Sequence, residues 1–208
     1  MSVKALCFGV IVWVLGVVPA SAQGERGFVR GLGGFTFGAA ETSSIFGGGG
    51  GVNVGDRAQI AGELGHLGDV LPEELRDDLD LVSALLTLEL GLPVSLDATA
   101  PTFYGLGGVR YTSPTGRVRP FAEVQGGFAR ITFDIDAEVA GLDLSQDVED
   151  GADLESGTEF LLGLGGGVTF MFTGTVDLDI GYRYGRIFTD DPAINTNAVY
   201  GAVRFSFR

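Results

Sequence analysis

Eight charged residues stand in segments that are otherwise apolar and glycine-rich: Arg30, Glu63, Arg110, Glu123, Asp177, Asp179, Arg183 and Arg204. Four are basic and four acidic, so brought together away from water they can neutralise one another. Other chemistry has thinner support. His66, in "ELGHLGD", is the only histidine. Glu63 falls on the opposite face from it by strand alternation, and no serine is near in sequence. A nucleophile needs a base and an orienting group in mutual reach, so an enzyme is not expected. The acidic run "DVEDGADLE" lacks the spacing of an EF-hand calcium loop and reads as solvated charge, so no metal is assigned. "GLGGF" and "GGGGG" do not lead into a helix, which leaves no phosphate loop and no cofactor.

The elements that must position the eight charges repeat every two residues. In "VDLDIGYRYGR", Val176, Leu178, Ile180, Tyr182 and Tyr184 alternate with Asp177, Asp179, Gly181, Arg183 and Gly185. That is a β-strand with two unlike faces. Eight such strands are expected, near Gly27–Gly38, Ile45–Gly55, Ala58–Leu67, Phe103–Thr112, Val118–Phe133, Glu159–Thr173, Val176–Phe188 and Asn197–Phe207. In "AEVQGGFARITF" the apolar phase slips, and a bulge near Ala129–Arg130 would account for it.

The connections alternate in length. The second, fourth and sixth are tight turns at Gly55–Arg57, Ser113–Arg117 and Thr173–Thr175. The third spans Gly68–Thr102 and the fifth Asp134–Thr158. Within the third, "PEELRDDLDLVSALLTLELG" predicts a helix over Pro72–Leu90. Acids fill its first turn, Gly91 stands just past its end, and Leu75, Leu79, Val82, Leu86 and Leu90 form a stripe. The expected role is a lid on the barrel rim; the alternative is a partner-binding or membrane-lying helix, whose acidic polar face argues against an anionic surface.

Glycine, 35 of 208 residues, sits inside the alternating segments. In "FLLGLGGGVTFMF" one face is Phe160, Leu162, Leu164, Val168, Phe170 and Phe172. The other is mostly glycine, where a soluble barrel would carry lysine and glutamate. The apolar face therefore reads as lipid-facing and the glycine face, with the eight charges, as the lumen. An Arg facing lipid near the midplane would cost about 2–4 kcal/mol. Aromatic residues gather at the strand ends. Phe28, Tyr111, Phe121, Phe170, Phe172, Phe205 and Phe207 are expected in one girdle. Phe35, Phe37, Phe46, Phe103, Phe160, Tyr182, Tyr184 and Phe188 are expected in the other.

Before these strands stands Lys4, then 14 uncharged residues from Ala5 to Val18, then Ala20-Ser21-Ala22. That is the three-part pattern of a secretory signal peptide, residues 1–22, with the barrel domain over 23–208. Cys7 and the only lysine leave with it, so the exported chain has no disulfide framework. It keeps 12 arginines against 27 Asp and Glu. Such a surface argues against nucleic acid and favours cationic partners.

On these features the chain resembles the small eight-stranded outer-membrane barrels, the OmpA/OmpX-type, porin-like group. The resemblance covers Gln23–Arg208 and rests on the signal segment, the loop asymmetry, the glycine-rich strands "FYGLGGVRY" and "RPFAEVQGGFA", and the closing strand "NAVYGAVRFSF". It implies an all-β, antiparallel up-and-down barrel in the outer membrane. The implied partners are outer-membrane lipid and the assembly machinery, which reads a terminal aromatic; here Phe207 precedes Arg208. A monomer is expected. The implied role is structural or interactive, through acidic loops that serve envelope integrity, adhesion or contact with an extracellular ligand. Two alternatives stay open, a narrow channel for small solutes and a soluble periplasmic carrier barrel.

Overall fold

A computed structural model describes residues 27–37, 42–139, 142–143, 157–189 and 193–207. The expected signal segment and most of the acidic fifth connection lie outside the described residues. The elements in chain order are β1 (Gly27–Phe37), β2 (Ser43–Val54), β3 (Ala58–Asp69), α1 (Glu73–Leu90), β4 (Val94–Thr99), β5 (Pro101–Thr112), β6 (Val118–Ile131), β7 (Asp134–Val139), β8 (Leu142–Asp143), β9 (Gly157–Met171), β10 (Val176–Phe188) and β11 (Ile194–Phe207).

Eight of these strands close a barrel in the order β1-β11-β10-β9-β6-β5-β3-β2. Every neighbouring pair is antiparallel, and the β1–β11 pairing from Gly27↔Phe207 to Phe37↔Asn197 removes the sheet edges. That closure is what lets strands cross lipid, because no backbone group is left unpaired at an edge. The tight turns fall at one end and the long connections at the other, which places the turns on the periplasmic side and the long connections outside.

The two long connections are more than loops. Val94–Thr99 of the third pairs with Asp134–Val139 of the fifth. With β8 they form a second sheet in the order β4-β7-β8. Short strands in polar surroundings gave too few alternating residues to be read from sequence. The helix α1 starts at Glu73, one residue later than the sequence predicts. Pro72 is its N-cap in extended geometry, and Gly91 ends it at φ 66°, the left-handed conformation that glycine adopts freely.

The expected bulge in β6 is not there. Pairing with β5 runs without a break from Phe128↔Gly105 through Ala129↔Tyr104 and Arg130↔Phe103 to Ile131↔Thr102. The side chains change character and the backbone does not change phase. Ala129 and Ile131 point inward into an apolar cluster, while Arg130 faces outward. The irregularity is instead in β3, where the register with β5 shifts between Leu67 and Asp69.

The outer face carries Val29, Phe35, Ile60, Leu64, Val109, Val124, Leu164, Ile180 and Val199, all exposed to the surroundings. Asp177, Asp179 and Arg183 of the same strands are buried. This arrangement is inverted relative to a soluble protein, and it overturns the soluble carrier alternative: such a barrel would present an apolar wall to water. No described helix is long and apolar enough to cross a membrane; the barrel crosses with strands.

Candidate functional site

Strand alternation places every second residue of the eight barrel strands in the lumen, and the lumen is filled in layers. Nearest the periplasmic turns is Arg204 on β11. Its Nε and Nη2 donate to Asp177 Oδ2 at 3.1 and 2.6 Å, and its Nη1 donates to Gln59 Oε1 at 3.2 Å. The guanidinium also lies 5.5 Å from the centre of the Phe28 ring.

The next layer is built on Arg110 of β5. Its Nη1 donates to Asp179 Oδ2 at 2.7 Å and its Nη2 to Thr169 Oγ1 at 2.7 Å. Thr169 in turn donates to Asp179 Oδ1 at 2.6 Å. The Arg110 guanidinium stacks 3.6 Å from the centre of the Phe121 ring. Phe28 and Phe121 are therefore not girdle residues. Both point inward and are buried, where each offers an aromatic face to an arginine.

The central layer holds two arginines and two glutamates. Arg183 Nη1 and Nη2 donate to Glu63 Oε1 and Oε2 at 2.7 and 3.2 Å. Arg183 Nη2 also reaches Glu123 Oε1 at 3.3 Å. Arg30 donates to Glu63 Oε2, and its Nη1 is 3.6 Å from Glu123 Oε2. Two tyrosines complete the layer. Tyr104 donates to Glu63 Oε1 at 2.7 Å, and Tyr200 donates to Glu123 Oε1 at 3.0 Å. All eight charged residues are thus inside the barrel, and the most accessible, Asp177, is 7% exposed. Charges removed from water in this way need both opposite charge and hydrogen bonds to persist, and each layer supplies both.

Sequence reasoning missed Tyr104 and Tyr200. The signal was present: each is in phase with a lumenal charge of its own strand, Tyr104 with Arg110 and Tyr200 with Arg204. Reading only charged and glycine residues as lumenal passed over it. The inward glycines make room for these rings. A Cβ on Gly181 would stand 2.6 Å from Tyr200 Cζ, and one on Gly65 would stand 2.6 Å from Tyr104 Cζ.

Above the charges the lumen becomes apolar. Leu32, Ile45, Leu67, Leu106, Leu161, Ile187 and Ala198 line it. Val70 and Leu71, just past β3, cap this zone, each about 1% exposed. One cavity of about 20 Å³ lies between the two zones, bordered by Ile45, Leu67, Tyr104, Leu106, Arg183 and Thr196. That is room for about one water molecule.

The cap is held by Asp69. Its Oδ1 accepts from the backbone N–H of Leu71 at 3.0 Å and of Ala100 at 2.8 Å, and its carboxylate pairs with Arg76 of α1. Its own N–H donates to Ser43 Oγ at 2.8 Å, and the Val70 N–H donates to the Ala100 carbonyl at 3.2 Å.

The other aromatic residues expected in the girdles are on the outer face. Phe172, Phe205 and Phe207 are exposed at the turn end, with Phe170 half-buried beside them. Phe160 is exposed near the start of β9, Tyr182 is exposed midway along β10, and Tyr184 is half-buried. Phe160 lies 5.7 Å from Phe188 between ring centres. Tyr182 and Tyr184 donate to Asn197 and Asn195 at 2.5 and 2.7 Å. His66 is also on the outer face, stacked on Phe46 at 5.2 Å, with the barrel wall between it and Glu63. The two form no catalytic pair. Among the described residues, no cluster of three or more His, Cys, Asp or Glu is arranged to hold a metal.

Solved structures share this architecture. Neisserial surface protein A aligns over 89% of this chain and 98% of its own, at 16% identity and a TM-score of 0.56. The N-terminal β-barrel domain of OprF from Pseudomonas aeruginosa aligns over 88% of this chain and 97% of its own, at 12% identity and a TM-score of 0.49. Ail, the attachment invasion locus protein of Yersinia pestis, aligns over 88% and 99%, at 14% identity and a TM-score of 0.47. At these identities the likeness is one of fold. No curated protein sequence matches the chain. The family model for the outer membrane protein beta-barrel domain matches residues 8–207, nearly the whole chain. The protein is a member of the outer membrane protein beta-barrel domain family and resides in the cell outer membrane.

Proposed function

We propose that the protein is a closed outer-membrane barrel whose role is structural and interactive. It contributes to envelope integrity and contacts partners through the acidic structure at its outer end, without conducting solutes and without catalysing a reaction. The observation that carries this reading is the filling of the lumen. Three layers of ion pairs are stacked under an apolar zone, which Val70 and Leu71 cap. Eight-stranded barrels have an interior that side chains can fill, and here they do so twice over, with charge and with hydrocarbon. Export by the signal segment 1–22 and insertion by the outer-membrane assembly machinery belong to the same reading.

The test is planar-bilayer recording with the purified, folded protein. The expected result is a silent bilayer. Steady, discrete openings would reject the closed-lumen reading in favour of a narrow conduit for small solutes.

A further inference from the structure

The helix α1 packs on β4 and is tied to the end of β3 by the Arg76–Asp69 ion pair. Half-buried Leu79, Ser83, Leu86 and Thr87 form the face turned to β4. Ser83 Oγ donates to the Val94 carbonyl at 2.6 Å, and the Val94 N–H donates to Thr87 Oγ1 at 3.1 Å. The opposite face is open among the described residues, and it is not wholly polar. Leu75, Leu81, Val82, Leu85 and Leu88 are all exposed, Leu88 at 80%. Of the predicted stripe, Leu79 and Leu86 turn to β4, while Leu75 and Val82 face away from it. The predicted stripe is therefore split, and only part of it packs. The helix presents a second apolar surface that nothing in the chain is described as covering.

Charge decides what could cover it. Glu74, Asp77, Asp78, Asp80 and Glu89 are exposed among these leucines. The only basic residue of α1, Arg76, is paired with Asp69, and the last turn has none. A second copy of this surface would set carboxylates against carboxylates. An anionic lipid surface would be repelled in the same way. A neutral apolar partner would strip water from the carboxylates and offer nothing in return. A helix with an apolar stripe flanked by Lys or Arg meets both needs, burying the leucines while pairing each acid.

We infer that the exposed face of α1 is a docking surface for a cationic amphipathic helical segment of another polypeptide. The inference rests on the interactive reading proposed above and gives it a partner class. Burial of Leu81, Leu85 and Leu88 supplies most of the binding. The surrounding carboxylates select the sign of the partner and speed the encounter.

The test uses the full folded protein in phosphatidylcholine nanodiscs, with binding to empty discs subtracted. The probe is a labelled synthetic Leu/Lys amphipathic peptide of the same length as α1, which has 18 residues. Saturable binding is expected, with none for the Leu/Glu counterpart. The triple variant Leu81→Ser, Leu85→Ser, Leu88→Ser alters exposed side chains only, so the folded barrel should keep the difference in gel mobility between unboiled and boiled samples. It should weaken binding about ten-fold or more. Equal binding by the triple variant overturns the inference, as does equal binding of a scrambled Leu/Lys peptide with no apolar face. Self-association of the wild-type chain that the triple variant abolishes would also overturn it, assigning the surface to a second copy. A silent bilayer without peptide binding rejects this partner class and leaves the closed-barrel reading standing. Channel openings would reject that reading without touching the peptide result.

Discussion

Glu63 on β3 and Arg183 on β10 are 120 positions apart in sequence and meet inside the barrel through two hydrogen bonds, at 2.7 and 3.2 Å. Glu63 also accepts from Arg30 and from Tyr104. It is the acceptor for two arginines and a phenol, whereas Arg183 has two carboxylates to choose from. Removing either leaves one uncompensated buried charge, but removing Glu63 also takes the acceptor away from Arg30, Arg183 and Tyr104 at once. Glu63→Ala is expected to cost of order 3–5 kcal/mol, the range for breaking a buried ion pair by deleting one partner. Arg183→Ala should cost less, since Glu63 keeps Arg30 and Glu123 keeps Tyr200. Unfolding midpoints from boiled-against-unboiled gels over a temperature series will rank the two. An unchanged midpoint in both would remove the layer from the account of stability.

The glycine-rich strands make a second prediction, at Gly181. Tyr200 needs the space over this residue to reach Glu123, and a Cβ there would stand 2.6 Å from the ring carbon Cζ. The ring is pinned by its hydrogen bond, so it cannot swing away without breaking it. Gly181→Ala should destabilise by about 1–3 kcal/mol, as overpacking does. Adding Tyr200→Leu should remove most of the clash. The double variant is then expected to lose less stability than the sum of the two single losses. Additive losses would mean that the ring and the glycine do not compete for space.

These two sites also show what was legible in the sequence. A period of two assigns faces directly, so alternation alone puts Glu63, Gly181 and Arg183 on the lumenal side. Their partners were not legible, because pairing across a lumen depends on strand register and stagger, which alternation leaves open. The apolar upper lumen misled the reading of β6. Inward Ile131 looks like a phase slip only if the whole lumen is assumed polar. The sheet made by β4, β7 and β8 joins segments some 40 positions apart, from Val94↔Val139 to Thr99↔Asp134. No local pattern announces a pairing of that separation. Helix α1 was legible from its period and its Gly91 stop, but which of its faces packs was decided by β4.

A third prediction concerns the autonomy of the barrel. Helix α1 packs on β4 and ties to the barrel end through Arg76 and Asp69. None of the eight barrel strands takes a ladder hydrogen bond from it. Replacing Glu73–Leu90 by a short Gly/Ser linker should leave the heat-modifiable gel band in the outer-membrane fraction. The same deletion should abolish binding of the Leu/Lys peptide. Loss of the band would mean that the helix is needed for assembly.

Asp69 makes the last prediction, because it separates the two seals of the lumen. Its carboxylate holds Leu71 and Ala100 by their N–H groups and pairs with Arg76. Hydrogen bonds to a charged acceptor contribute about 1.5–3 kcal/mol each, so Asp69→Ala should release the Val70–Leu71 cap from the barrel mouth. The change is expected to speed proteolysis between Val70 and Ala100, while the strands below keep their gel shift. The bilayer should nonetheless stay silent, because the Arg30, Glu63, Glu123 and Arg183 layer lies beneath the cap and does not depend on Asp69. Openings in Asp69→Ala alone would show the apolar cap to be the seal. Silence there, with openings only when Glu63→Ala is added, would assign the barrier to the ion pairs.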